Sequence, residues 1–393
     1  MYRIQTYNSI ANKGLEIFPD DAYEVGNSVP DPDAILLRSH KLDPKAVNDG
    51  LRAVARAGAG TNNVPVSACT EAGVVVFNTP GANANAVKEL VLCGLLLASR
   101  GILQGIRFAQ DNSDLRDHAE YSSLIEKNKK QFKGAEIAGK TLGVIGLGAI
   151  GSRVAEMGIR LNMKVLGYDP ALSVDAAWRL PSQVARMESL QALAASSDFV
   201  SLHLPVLDTT RGLMNGELFS AMKPGASLLN FAREEIVDTD ALRQALDSGR
   251  LAKYVSDFPR PDLLGRKDVI FMPHIGASTR EAEENCAVMA VNQLRDFLEN
   301  GNIRNSVNFP DLYLDPVPNA SPGTRLAVAN LNVPRMLGQI TSILADQNIN
   351  VIDMLNKSRG DVAYNLIDME HPAPDSALDA MRNIEHVIKV TAI

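Results

Sequence analysis

The stretch KTLGVIGLGAIGSRVAEMG, residues 140–158, carries glycines at 146, 148 and 151 between a short apolar run and the start of a helical pattern. That arrangement requires a strand to turn sharply into a helix, as parallel α/β sheets do. Gly146 permits the tight turn. Gly148 lets backbone approach a pyrophosphate at the helix N-terminus, where Ala149 and Ile150 supply free amides, and Gly151 lets the helix lie close on the strand. The spacing alone is weak, but in a strand–turn–helix context it reads as a dinucleotide site. A second strand, KVLGYDP, ends in Asp169, 23 residues after Gly146 and close to the separation of a ribose-binding carboxylate. A carboxylate there accepts from both ribose hydroxyls and repels a 2′-phosphate, so NAD is expected rather than NADP. The alternative, a plain strand–helix turn with Asp169 as a cap, stays open on these residues alone.

At 393 residues the chain exceeds one compact core. Before the glycine turn, AILLRS (34–39), LRAVARAGAG (51–60) and VVVFNTP (74–80) alternate with turn signals, which indicates parallel strands with crossover helices. Residues 83–100 read as a long, largely buried helix, followed by a polar stretch to about 140. A second long helix, 278–301, opens with Ser278 and Glu281 in capping-box spacing. These two helices bracket the middle region. The expected architecture is an α/β chain with a Rossmann-like nucleotide-binding domain (84–275) inserted into a flavodoxin-like substrate domain (1–83 and 276–308). The segment NFPDLYLDPVPNASPGT reads as a linker, 309–323. Residues 324–393 follow strand, helix, two strands, helix, strand, a ferredoxin-like α+β module.

Charge and composition exclude several partner classes. A formal net charge of −7 argues against nucleic acid, and the one dense cationic run, EKNKKQFKG, reads as solvated surface. The longest apolar run, LVLCGLLLA, is about half a membrane span, so no membrane partner is expected. The N-terminus MYRIQTYNSI reads as a first strand rather than a signal peptide. Three scattered cysteines without matching histidine spacing suggest no metal site and a reducing, cytoplasmic setting.

Further strand ends present polar residues where a parallel sheet opens its ligand crevice. FVSLHLP ends with His203 and Pro205, SLLNFAREEIVD carries Asn230 and Arg233, YVSDFP carries Asp257, and FMPHIGAST carries His274. Alone, His274 reads as readily as a packed core histidine as a catalytic one. The order GLGAIG, HLP, N-x-AR, PHIGAST resembles the D-isomer-specific 2-hydroxyacid dehydrogenases across nearly all of residues 1–305. The resemblance implies Arg233 and His274 as the catalytic pair: a base for the hydroxyl proton, and a guanidinium for the carboxylate and the C2 oxygen. It also implies Gly146, Gly148, Ala149, Ile150, Gly151, Asp169, His203, Pro205 and Asp257 as NAD contacts. The family's third catalytic residue is a Glu that orients the His. Here SDFPRPDLLG stands in its place, and Asp262 is the expected substitute.

LLRSHK (36–41) resembles the phosphate-binding segment of the D-3-phosphoglycerate dehydrogenases within that family, with Arg38 and Ser39 matching. A surface salt bridge is the plain alternative for Arg38. The turn ARAGAGTNN offers the amides of Ala59 and Gly60 to a substrate carboxylate, and Asn83 aligns with a substrate contact. The C-terminal module resembles an ACT domain. Asn332 and Asn350 match two effector-binding asparagines, Asn330 stands at the usual His and Arg335 at a usually small residue. An amino-acid effector and a homodimer or homotetramer follow from that resemblance. The implied activity is NAD-dependent oxidation of D-3-phosphoglycerate to 3-phosphohydroxypyruvate, the first step of the phosphorylated route to L-serine. Reduction of a non-phosphorylated 2-oxo acid (glyoxylate or hydroxypyruvate) or NAD sensing by a co-regulator are the alternatives.

Overall fold

The run Ala34–Leu37 (AILL) is buried at every position, as befits a strand covered on both faces, and it lies centrally in a wholly parallel sheet. That sheet orders its strands β2-β1-β3-β4-β5, from β1 (Tyr2–Tyr7), β2 (Tyr23–Gly26), β3 (Ala34–Leu37), β4 (Ala53–Arg56) and β5 (Val75–Phe77). This is the flavodoxin-like order, whose switch point falls between β1 and β3. The computed structural model describes residues 1–318 and 321–393, without the side chain of Asp175. It divides into two units, Met1–Asn83 with Arg280–Ile393, and Ala84–Thr279.

The second unit is a seven-stranded parallel sheet, β12-β11-β10-β9-β6-β7-β8. Its strands are β6 (Thr141–Ile145), β7 (Lys164–Tyr168), β8 (Ala185–Arg186), β9 (Phe199–Leu202), β10 (Ala226–Asn230), β11 (Leu251–Ser256) and β12 (Val269–Phe271). Chain order reverses between β6 and β9, which is the Rossmann switch point. The long helix Ala84–Ser99 buries Ala86, Val87, Val91 and Leu95 in this unit's core. Where the sequence shows only a polar stretch to 140, two helices form, Ile102–Asp111 and His118–Asn128. Neither buries a residue fully; Ile102–Asp111 carries a pronounced apolar stripe at helical spacing, whereas His118–Asn128 shows little hydrophobic contrast.

In the first unit the helix Arg280–Asn300 buries Ala287, Ala290, Val291, Leu294 and Leu298 against the first sheet. It starts at Arg280, so Thr279 precedes it and the Ser278–Glu281 capping box falls one residue out of register. The residues expected to be a linker are partly packed: Phe309 and Leu312 are buried, and Leu312 bridges Ile303. Two large apolar side chains outweigh the neighbouring prolines, because burying each is worth about 2–3 kcal/mol. Asn319 and Ala320 of that stretch lie outside the described residues.

The C-terminal sheet is antiparallel, β14-β15-β13-β16, from β13 (Arg325–Leu331), β14 (Val351–Arg359), β15 (Val362–Met369) and β16 (Val387–Ala392). Its connectivity is the ferredoxin-like one. One face carries Leu326, Val328 and Ile367 under the helices Met336–Asp346 and Asp375–Arg382. The other carries Ala327, Ala329, Tyr364 and Leu366 into the same core as Phe297 and Phe309. The module is therefore not separate: it shares a core with the first sheet. The buried Arg325 fixes this contact, pairing with Asp368 at 2.6 Å and donating to Asn300 O, Leu314 O and Asp315 O.

Candidate active site

The glycine turn meets the steric demands read from its spacing. Gly146 has φ 89°, and a Cβ there would stand 2.5 Å from His203 O on the facing strand end. A Cβ on Gly151 would come within 1.8 Å of Gly146 O, while one on Gly148 would meet nothing within 4 Å. Gly148 caps the helix Ala149–Arg160 without any side-chain cap, so the first-turn amides of Ala149, Ile150 and Gly151 remain available. An open glycine over uncapped amides suits a pyrophosphate. Asp169, at the end of β7, accepts from Leu147 N at 2.8 Å and from Ala171 N at 3.0 Å. It thus braces the turn as well as facing solvent, and each oxygen keeps a lone pair for a ribose hydroxyl.

Across the switch point, His203 Nε2 bonds Ser201 Oγ at 2.8 Å and its Nδ1 is buried with no partner among the described residues. Burial lowers its pKa to about 3, so the imidazole is neutral. Pro205 offers its carbonyl to Thr210 Oγ1 at 2.6 Å, closing the loop that follows.

Arg233 and His274 leave the same end of the sheet, each three residues beyond its strand, β10 and β12. The register pairs Asn230 with Ser256 and Ser256 with Phe271, so these strand ends stand roughly 10 Å apart with β11 between them. Asn230, fully buried, shapes the first exit: its Nδ2 donates to Arg233 O at 2.8 Å and its Oδ1 accepts from Ala232 N. Arg233 is exposed, and no carboxylate pairs with it among the described residues.

His274 is exposed and left-handed, φ 55°, a conformation costing a non-glycine residue about 1–2 kcal/mol. Asp257 offsets that strain. Its buried carboxylate accepts from Ile275 N at 2.8 Å and Gly276 N at 2.7 Å, clamping the two residues after His274. The Phe258 ring stands 5.0 Å from the imidazole. Asp257 is thus bound to the histidine's loop, a role beyond the cofactor contact expected of it from the sequence.

Asp262 does not reach His274. It pairs with Arg243 at 2.9 Å and Arg260 at 3.2 Å; desolvation, the largest single influence, pushes its carboxyl up, but the two guanidiniums and its own backbone amide together outweigh it and hold the carboxyl below the usual range. The expected His–Asp dyad is corrected: two arginines compete for this acid, and no carboxylate pairs with His274 among the described residues.

In the first unit, Arg38 and Ser39 follow β3 directly at its switch point. Asn8, just past β1 with φ 65°, accepts from Ser39 N at 3.1 Å and His40 N at 2.6 Å. The Arg38 guanidinium pairs with Glu283 at 2.8 Å, both partly exposed, which is the surface salt bridge left open above. Arg56 Nε donates to Arg38 O at 3.1 Å, which brings a second guanidinium to this strand end with no motif to announce it. Ala59 O accepts from Asn78 Nδ2, and neither the Ala59 nor the Gly60 amide donates within the chain among the described residues. Asn83 Oδ1 is buried without a partner among the described residues.

Residues 99–276 match the family described as D-isomer specific 2-hydroxyacid dehydrogenase, NAD binding domain. A D-3-phosphoglycerate dehydrogenase of Haemophilus influenzae is 33% identical over 346 residues, spanning 85% of this chain and 79% of that protein. The chain belongs to the D-isomer-specific 2-hydroxyacid dehydrogenases. A D-3-phosphoglycerate dehydrogenase of Synechocystis is also 33% identical over 346 residues, 83% of this chain, but the chain spans only 60% of its length. Among solved structures of the family, the NAD+-bound 3-phosphoglycerate dehydrogenase of Entamoeba histolytica superposes with a TM-score of 0.62 at 26% identity, over 79% of this chain and 99% of that one. The second unit is accordingly the family's NAD-binding domain. Among the described residues no helix is long and apolar enough to cross a membrane, and no cluster of side chains could hold a metal ion.

Proposed function

We propose that the chain is an NAD-dependent dehydrogenase that oxidises D-3-phosphoglycerate to 3-phosphohydroxypyruvate, opening a route to L-serine. One observation supports the reading above all: an exposed cation and an exposed imidazole leave the same end of the NAD-binding sheet, from strands β10 and β12 on either side of β11, with the base's loop held by a buried carboxylate. Bound NAD supplies the hydride acceptor, held by Gly146, Gly148, Ala149, Ile150, Gly151 and Asp169, with His203 and Pro205 beside the turn. Arg233 engages the substrate carboxylate in bidentate fashion and polarises the oxygen at C2. His274 takes the hydroxyl proton in oxidation and returns it in reduction. Asp257 keeps His274 in its left-handed pose, the orienting work a side-chain acid would otherwise do.

In the first unit, Arg38 and Ser39 bind the substrate phosphate, and the free amides of Ala59 and Gly60 receive its carboxylate, with Asn83 alongside. The activity for which the Haemophilus and Synechocystis relatives are named supports this substrate. The Arg38–Glu283 pair is solvent-exposed and worth about 0–1 kcal/mol, so a phosphate dianion displaces it readily. That same pair favours the second reading, reduction of glyoxylate or hydroxypyruvate, in which Arg38 serves only structure. Steady-state rates with phosphoglycerate and NAD, and with phosphohydroxypyruvate and NADH, separate the two. Arg38→Ala is expected to cut kcat/KM for the phosphorylated pair at least tenfold and leave hydroxypyruvate reduction unchanged. Equal loss for both substrates, or for neither, defeats the phosphate assignment.

The same reading places an amino-acid effector on the ACT-like module of a homodimer or homotetramer. Asn332 sits beside Asp361 and Asn350 beside Glu370, at opposite ends of β15, roughly 30 Å apart. One module cannot bring both to a small ligand; two copies side by side can. Titrating L-serine into the phosphoglycerate assay, together with sedimentation, tests this.

A further inference from the structure

A narrow cavity in the first unit lies where the C-terminal sheet meets the start of β4, and Arg52, Lys389, Tyr364, Thr391 and Phe297 line it. Two of these are cations. Arg52 sits over the Tyr2 ring at 5.6 Å and the Phe297 ring at 5.9 Å, and its one side-chain hydrogen bond among the described residues, to Leu298 O, is long at 3.5 Å. Lys389 runs its stem over Gly73, where a Cβ would come within 2.8 Å of Lys389 Cβ. Its Nζ donates to Asp49 O at 3.0 Å and Leu51 O at 2.5 Å, leaving one proton undirected. The Thr391 hydroxyl has no partner among the described residues.

Neither cation pairs with a carboxylate among the described residues; the Asp49 carboxylate acts on Lys389 only from a distance. Burial and the Arg52 charge both press the Lys389 ammonium toward its neutral form, opposed by two bonds to neutral backbone carbonyls and by the distant Asp49 carboxylate but by no ion pair among the described residues. Two like charges facing one small, half-enclosed space are stable there when an anion shares it.

We propose that this cavity binds a small inorganic anion of chloride size, held by the Arg52 guanidinium, the Lys389 ammonium and the Thr391 hydroxyl. The ion staples β16 to the residue that leads into β4, on the module's inner face. The site is independent of the catalytic reading and of any cofactor.

Thermal melts of the full chain at fixed ionic strength, with sodium gluconate exchanged stepwise for sodium chloride, test the proposal. The melting temperature is expected to rise by about 3 °C at ten times the dissociation constant and to keep climbing with the logarithm of chloride concentration above it. Sulfate, too large for the cavity, is expected to give less than half that rise; an equal rise overturns the assignment to a small anion. Arg52→Gln and Lys389→Met are expected to abolish the chloride response. A response that survives in both variants, or is absent from the parent, overturns the site. If the variants fail to fold, crystals of the parent protein grown without halide and soaked in bromide decide: an anomalous peak between Arg52 and Lys389 supports the site, and its absence refutes it.

Discussion

Two glycines of the turn, three residues apart, should fail in opposite ways when each gains one methyl group. In Gly151→Ala the new Cβ would stand 1.8 Å from Gly146 O and 2.9 Å from Gly146 C, both backbone atoms that no rotamer change can move. Restoring ordinary contact requires the helix Ala149–Arg160 to back away from the turn by about 1.5 Å, which disturbs Val154, Ala155 and Met157 in the core. Overpacking of that kind costs about 1–3 kcal/mol. In Gly148→Ala the methyl meets nothing within 4 Å, and φ −66° is allowed to any residue. Alanine is the poorer N-cap, but it lowers the entropy of the unfolded chain, so stability should stay within about 1 kcal/mol. The methyl does occupy the approach of the pyrophosphate to the first-turn amides. Losing one hydrogen bond to a charged group is worth about 1.5–3 kcal/mol, or about 10- to 150-fold in affinity. Urea melts and NADH fluorescence titrations on both variants separate the effects. A Gly148→Ala protein that binds NADH like the parent would falsify the placement of the cofactor at this turn, and a fully stable Gly151→Ala protein would refute the steric argument.

Asp257→Asn retains one acceptor but sets an amide donor against the second backbone N–H, so the His274 loop should loosen; kcat is expected to fall at least tenfold while NADH affinity, measured by fluorescence, stays within about threefold. A loss of NADH affinity matching the loss of turnover would instead make Asp257 a cofactor contact. Asp368→Ala strands the buried Arg325 guanidinium and should cost about 3–5 kcal/mol in denaturant melts, whereas a loss under 1 kcal/mol would show the pair to be dispensable. His203 has a folded pKa near 3 against 6.5 unfolded, so the unfolded chain binds the extra proton between those values. Stability tied to this residue is complete above pH 6.5 and declines as pH falls toward 3, by about 1.4 kcal/mol per pH unit. His203→Gln should flatten that acid limb in melts at pH 7, 5.5 and 4.5, and an unchanged slope counts against a buried neutral imidazole.

What the chain discloses before folding is whatever local sterics encode. The glycine spacing was legible because each position answers to one close contact, and the strand ends were legible because their residues fall just past apolar runs. Partnerships made across long stretches of chain leave no such trace. Asp262 lies 19 residues from Arg243, and nothing in SDFPRPDLLG shows that a helix will bring that guanidinium to it. Asn8 shapes the Arg38–Ser39 exit from another strand, 31 residues away from Ser39. The inner face of the C-terminal sheet is written in alanines, Ala327 and Ala329, whose burial against a second sheet no hydrophobic run announces.

The same reasoning explains why the family's motif order survives here without its acid. Orienting an imidazole needs a fixed backbone or a fixed ring partner, and either lowers the entropy lost in reaching the reactive pose. With the loop after β11 short, Asp257 holds backbone amides rather than a ring nitrogen, and Phe258 limits the ring from one side. Such a clamp fixes where His274, the proton acceptor of the proposed function, stands, but it sets no carboxylate against the ring itself. On the proposed function, charge stabilisation then comes chiefly from Arg233 and the substrate itself, so replacing Arg233 should cost more turnover than restoring an acid near His274 recovers, as steady-state rates of the two variants would show.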